Sequence, residues 1–221
     1  MLREVNALRT VTQNPVHPYV AILGGAKVSD KIGLVRNLLS KVDTILVGGA
    51  MAYTFLAACG EEVGNSLVES ERFDLARELL AEAERRHVAL VLPSDHVVAP
   101  SPEKEREAKS VEHISPGMMG LDIGPLTIED FSPRLAGATT VIWNGPLGYV
   151  ESAAFERGTL MLGEAVSQLR GAFTVVAGGD TAAAVSGCSW SKMFTHISTG
   201  GGATLEYLEG LELPGVKALE R

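Results

Sequence analysis

Apolar residues fall into two patterns along this chain. The first is a set of short, nearly continuous runs: residues 19–23 (YVAIL), 44–47 (TILV), 89–92 (ALVL), 140–143 (TVIW) and 173–177 (FTVVA), with a shorter run at 195–198. Runs of this length without polar alternation predict strands covered on both faces. The second pattern is a return of apolar positions every three or four residues between the runs. In residues 1–14, Leu2, Val5, Leu8 and Val11 share one side, with Arg3, Glu4 and Arg9 between them, and Pro15 and Pro18 close the segment. That spacing predicts an amphipathic helix. Further helices are predicted over 29–40, with Ser29 as N-cap and Ile32, Val35, Leu38 and Leu39 inward, and over 51–58, 70–86, near 128–136, 153–169 and 203–209, with an alanine-rich one after the glycines at 178–179.

Strand and helix alternate about six times. The predicted fold is a doubly wound, Rossmann-like α/β domain, with a parallel sheet of about six strands and helices on both faces. Two segments stand outside the alternation. Residues 99–110 (APSPEKEREAKS) are charged, carry proline and have no period, so a solvated surface loop without chemistry is expected. The opening helix precedes any strand that could bury it and suggests the tail of something longer.

Glycine marks the ends of the strands. Gly24, Gly25, Gly48, Gly49, Gly145, Gly148, Gly178, Gly179, Gly200, Gly201 and Gly202 all lie just after one, and in a parallel sheet those points share the carboxyl edge, where open α/β sheets bind ligands. The stretch 173–185 (FTVVAGGDTAAAV) reads as strand, tight turn and helix start. Its glycines let a ligand approach the backbone, and the first amides of the new helix point at it without internal partners. This predicts a phosphate-bearing ligand. Asp180 would repel a bare phosphate, so its use there is to hold a magnesium ion that the phosphates also ligate; an aspartate capping a helix would account for one such turn, but not for the repetition. Lys27 and Lys31 lie four apart across the first turn and can both reach anionic oxygens above the sheet edge, although cations at a helix start oppose its dipole. Neither a P-loop nor a GxGxxG follows any strand, so nucleotide binding would use dispersed turns.

Composition narrows the setting. A chain of 221 residues with 46% hydrophobic and 21% charged residues has room for a substantial core. A formal net charge of -8 argues against a general nucleic-acid binder, which needs a basic face. Cys59 and Cys188 lack metal or CxxC spacing and suit a reducing compartment as packed or surface thiols. No apolar run approaches the ~18 residues of a membrane span, and residues 1–12 lack the apolar core of a signal peptide; a cytoplasmic protein without membrane or nucleic-acid partners is expected.

Six motifs then carry a resemblance: GGAKVSDKI at 24–32, GGAMAYTFL at 48–56, LDIGP at 121–125, WNGPLG at 143–148, GGDTAAAV at 178–185, and STGGGATLEYLEG followed by LPGV within 198–216. In content and order they closely resemble the carboxyl-terminal half of phosphoglycerate kinase, over essentially the whole chain. The resemblance implies the nucleotide-binding half of a monomeric enzyme that moves a phosphoryl group reversibly between 1,3-bisphosphoglycerate and ADP, with Mg-ADP or Mg-ATP bound here. The amino-terminal half, which holds 3-phosphoglycerate, is missing. Residues 1–14 look like the end of the interdomain helix, residues 15–221 like the nucleotide domain, and Met1 directly before that helix suggests a piece excised from a longer protein.

By the same resemblance, Lys27 would bind the transferring phosphoryl group and Lys31 the nucleotide phosphates. Asp180 would hold magnesium, with Gly178, Gly179 and Thr181 at the phosphates, and Gly200, Gly201 and Gly202 would stabilise charge on the group in transit. Lys27, Gly179 and Gly201 form the expected catalytic set. Glu151 would accept the ribose hydroxyls, and Gly25, Ala26, Gly48, Gly49, Gly124, Asn144 and Pro146 would complete the nucleotide site. Two departures stand out: Ala177 replaces the first of three glycines, and Tyr149-Val150 precedes Glu151. His196 is expected to be structural, and residues 216–221, which in the family return to the other domain, are expected to be loosely ordered. The isolated half is expected to be inactive or nearly so. Two other readings are a nucleotide-binding module without catalysis, and a dinucleotide-dependent dehydrogenase, for which the missing GxGxxG is a poor sign.

Overall fold

The computed structural model describes residues 2–217. In chain order these form α1 (Leu2–Gln13), β1 (Tyr19–Leu23), a 3-10 turn (Ser29–Lys31) continuing into α2 (Ile32–Leu38), β2 (Thr44–Val47), α3 (Met51–Ala58), a 3-10 turn leading into α4 (Phe73–Arg85), β3 (Ala89–Val91) and β4 (His96–Ala99). After another 3-10 segment (Pro102–Glu107) follow β5 (Lys109–Val111), β6 (Met119–Ile123), α5 (Pro125–Leu135), β7 (Thr140–Asn144), α6 (Arg157–Ser167), β8 (Phe173–Ala177), α7 (Gly179–Ser186), β9 (His196–Ile197), α8 (Gly201–Leu208) and the short α9 (Pro214–Lys217). Among the described residues, no helix is long and apolar enough to cross a membrane.

Six strands pair in the order β3-β2-β1-β7-β8-β9, all in parallel. Because successive side chains point to opposite faces, each inner strand feeds two cores. Tyr19, Ala21 and Leu23 of β1 join Ile45, Val47, Ile142 and Val175 in one, against α1, α2, α3, α4 and α8. Val20 and Ile22 join Leu46, Val141, Trp143 and Val176 in the other, against α5, α6 and α7. The predicted fold class is the observed one, since runs apolar at every position can be satisfied only by helices on both sides.

Several expectations need correcting. Residues 99–110 are not a structureless loop: they hold the end of β4, the 3-10 segment and part of β5, within a three-stranded antiparallel sheet ordered β5-β4-β6. Its strands escaped the reading because β5 is largely exposed and β6 carries Gly120 and Asp122, so neither shows an apolar run. Ser29 is no side-chain cap for its own helix, which begins as a 3-10 turn. The helix expected over 153–169 begins only at Arg157, and the last one begins at Gly201.

The opening helix does find a core. Val5, Ala7, Leu8 and Val11 are buried against the sheet, whereas Leu2 is 65% exposed. Glu4 ties it to the end of the sheet: its carboxylate lies 2.8 Å from His196 Nε2 and also accepts the Ser198 hydroxyl. Burial opposes ionisation of Glu4, but these contacts and the Thr199 amide hold its carboxyl below the ordinary value. Val216 and Lys217 close α9; the rest of the expected loose tail lies outside the described residues. Cys59 is exposed and Cys188 half-buried, both free thiols.

Along the β1–β7 seam the turns touch so closely that side chains are excluded. A Cβ at Gly24 would collide with the Pro146 carbonyl, and one at Gly145 with the carbonyl of Gly24. Gly24→Ala should therefore lower stability by about 2–3 kcal/mol. Gly187→Ala, at φ -75 with open space around it, should change it by less than about 0.5 kcal/mol. Urea unfolding of the two variants measures the contrast.

Candidate functional site

The chain winds outward from β1 to β2 and β3, then returns beside β1 as β7 and winds the other way through β8 and β9. The carboxyl ends of β1 and β7 are thus the switch point at which neighbouring connections diverge and leave a crevice. A cleft of about 330 Å³ opens there, lined by the turns after β1, β7 and β8 and by the start of α8. A groove of about 420 Å³ lies between the small sheet and α5 and α6. Size does not select between them; the chemistry of the walls does, because α5 and α6 also start at the larger groove but their first amides are taken up by the Asp95 and Asp122 carboxylates, whereas the helix starts at the smaller cleft have no side-chain cap.

Two helices begin at the cleft without a side-chain cap. In α7, Gly178 at the N-cap position has φ 95, and in α8 Gly201 has φ 55. Both values favour glycine, and the uncapped first-turn amides are donors available to a ligand. Lys27, exposed, and Lys31, buried, face the same space, as do Asp30 and Asp180.

Asn144 knots the turns together. Its backbone carbonyl accepts the Gly24 amide at 2.9 Å and the Lys31 ammonium at 3.0 Å; its side-chain oxygen also accepts from Lys31, and its side-chain nitrogen donates to Ala177 O at 3.0 Å. The Thr181 hydroxyl accepts the Gly145 amide at 2.7 Å. Ala177, fully buried, is not among the positive-φ residues, of which His87 is the one non-glycine example among those described. The methyl of Ala177 is therefore unstrained at that point.

Burial of Lys31 pushes its ammonium down to about 8, partly countered by the charges of Asp180 and Asp30. A cation held out of water with no carboxylate in contact is a group short of an anion. For a divalent cation, no cluster of three or more candidate ligand residues exists among those described. Asp180, exposed at the start of α7, with Asp30 across the cleft, does fit magnesium, which binds through one or two carboxylates and keeps its remaining positions for water and phosphate oxygens.

The structure brings Gly25, Ala26, Lys27, Lys31, Asn144, Pro146, Gly178, Gly179, Asp180, Thr181, Gly201 and Gly202 to this cleft. Gly200 adjoins it, its amide donating to Ser198 Oγ at 3.2 Å. Gly48, Gly49, Gly124 and Glu151 do not line it. The first two are closely packed: a Cβ on Gly48 would lie 2.6 Å from Leu147 Cδ2, and Gly49 abuts the Gly25 turn. Gly124 leaves room for the Asp95 carboxylate, which accepts the Leu126 and Thr127 amides at the start of α5. Glu151 stands exposed in the turn before α6. Asp30, Gly145 and Leu205 line the cleft without having been singled out. Gly145 was already visible as a strand-end glycine; an acidic residue at a helix start and a leucine in the second turn of α8 carry no such signal.

Fold and site together define an open α/β domain with an anion-seeking cleft at its switch point. The comparisons give that class a family. The family model for phosphoglycerate kinase matches residues 1–211. The phosphoglycerate kinase of Macrococcus caseolyticus is 51% identical over 221 residues, covering 99% of this chain and 55% of the relative, and that of Thermus thermophilus is 51% identical, covering 100% and 57%. The structure of phosphoglycerate kinase from Coxiella burnetii superposes with a TM-score of 0.92 at 41% identity, covering 99% of this chain and 57% of that one. The chain belongs to the phosphoglycerate kinase family and spans about half the length of these relatives, their carboxyl-terminal half.

The buried lysine has a measurable cost. With a folded value near 8 against an unfolded value of about 10.4, the unfolded chain binds the proton more tightly between those limits, so the penalty is full below about pH 8 and fades as pH rises. The stability of the wild type relative to Lys31→Met should therefore improve from pH 8 to pH 10, by at most about 1.4 kcal/mol per pH unit. A difference in urea unfolding that stays constant across that range would contradict the buried, charged state.

Proposed function

We propose that residues 15–221 are the nucleotide-binding half of a phosphoglycerate kinase and residues 1–14 the end of the helix that joins it to the other half. In this reading the chain holds ADP or ATP with magnesium for reversible phosphoryl transfer from 1,3-bisphosphoglycerate to ADP, a step of glycolysis. The observation that carries it is the convergence of two uncapped helix starts and two lysines on one cleft at the β1–β7 switch point.

The residues divide the work by position. Lys31, fixed by Asn144, meets the nucleotide phosphates and regains by their charge what burial takes from it. The amides of Gly179, Asp180 and Thr181 donate to phosphate oxygens along the axis of α7. Lys27, exposed opposite the glycine turn 200–202, meets the group in transit, whose spread charge the first amides of α8 stabilise. Asp180 would hold magnesium, which would supply positive charge against that of the phosphates. Phosphoryl transfer needs little covalent help, so positioned donors suffice once the acceptor is brought in line. The site for the phosphoglycerate substrate belongs to the other half, and without closure of that half water is not excluded. Glu151 and the glycines at 48, 49 and 124 lie outside this cleft and are left to the nucleoside, Glu151 on the turn beyond Pro146.

A nucleotide-binding module without catalysis remains the second reading. Retention of Lys27, Lys31, Asp180 and the three glycines at 200–202 favours the enzyme half over it.

Calorimetric titration with ADP in magnesium buffer should give saturable one-site binding, weakened about tenfold or more in Lys31→Ala. The chain alone should show no phosphoglycerate kinase turnover, and adding the separately produced amino-terminal half should restore some. No heat from a folded chain would contradict the nucleotide reading; binding without any restored turnover would favour the module.

A further inference from the structure

The arc that carries Lys27 is held at both ends. At its near end the Gly25 amide donates to Pro146 O at 2.8 Å, and Gly25 O accepts the Met51 amide at 3.0 Å. At its far end the 3-10 turn that begins at Ser29 has Val28 at its N-cap position and no side-chain cap of its own. A helix start left open in this way needs an acceptor from elsewhere.

Glu69, 40 positions away, supplies it. Its Oε2 accepts the Ser29 amide at 3.0 Å and its Oε1 the Ser29 hydroxyl at 2.5 Å. Glu69 is itself anchored, since its own amide donates to Oγ1 of the buried Thr54 in α3 at 3.1 Å. Partial burial opposes ionisation, but the Ser29 hydroxyl and amide, the Val28 amide and Arg72 hold the carboxyl below its ordinary value. A carboxylate at a helix start is also favoured by the helix dipole. Between the two clamps stand Ala26 and Lys27, exposed, and Val28, buried.

We propose that Glu69 is a positioning residue for the phosphate side of the cleft: by holding Ser29 it fixes the arc from Gly25 to Ser29, and with it the place of the Lys27 ammonium. The proposal rests on the nucleotide reading above. It differs from a remote cap that merely stabilises α2. Such a cap would lower stability and weaken every ligand alike, whereas a positioning role falls on the phosphates and spares the nucleoside.

Glu69→Ala and Glu69→Gln, made in this chain, separate the two. In Glu69→Ala the amides of Ser29 to Lys31 should exchange faster with solvent while those of β1 and α3 keep their protection. MgATP, which carries the group that Lys27 meets, should bind about tenfold more weakly, and adenosine within about twofold of wild type. Glu69→Gln should recover most of the ATP affinity, because its amide oxygen can still accept the Ser29 amide. Equal weakening of ATP and adenosine, or wild-type ATP affinity in Glu69→Ala, overturns the proposal. Were the wild type to bind neither ligand, the nucleotide reading would fall, and unchanged exchange at Ser29 in Glu69→Ala would overturn the anchoring separately.

Discussion

Everything at the carboxyl edge depends on how closely the turns after β1 and β7 approach. The Gly24 amide donates to Asn144 O at 2.9 Å and the Gly25 amide to Pro146 O at 2.8 Å, contacts that exist only because neither Gly24 nor Gly145 has a side chain. With the two turns locked backbone to backbone, Asn144 reaches both neighbours, Lys31 on the β1 side and Ala177 on the β8 side. Gly49 wedges under the same contact. Two glycine types therefore coexist: those that bring backbones together and those whose uncapped amides open outward at 178–179 and 201–202.

The electrostatics follow from this packing. Burying an ammonium is unfavourable unless it is compensated, and Lys31 has only neutral oxygens in contact, with Asp180 and Asp30 acting from a distance. The cleft thus has a deficit of negative charge that an anion removes. Asp180 and Asp30 work against a bare anion, so the arrangement favours phosphates that arrive with a cation. A protein with a net charge of -8 can hold a polyanion here because the positive groups are local and the helix starts point the same way.

How much of this was legible in the sequence depended on whether a residue's reason was local. The parallel core was readable because runs such as YVAIL and TVIW have one explanation. The small antiparallel sheet was not: β5 is an exposed edge strand and β6 is interrupted by Gly120 and Asp122, so partner strands decide those conformations. Lys31 and Asp180 could be placed from strand, turn and helix order. The packing of Gly48 against Leu147 and of Gly49 against Gly25 could not be read from the sequence, because a glycine cleared for a side chain and one cleared for a phosphate leave the same mark. The burial of Lys31 against Asn144, 113 positions apart, and the Glu69 contact to Ser29 are long-range facts with no sequence period.

The central claim is that the anion-seeking cleft at the β1–β7 switch point is where the nucleotide phosphates sit. Mapping amide chemical shifts of the labelled chain during addition of MgADP tests it most directly. The account predicts the largest shifts at Gly25 to Lys31, Gly178 to Thr181 and Gly200 to Gly202. Shifts centred instead on the groove between the small sheet, α5 and α6, with those turns silent, would contradict it.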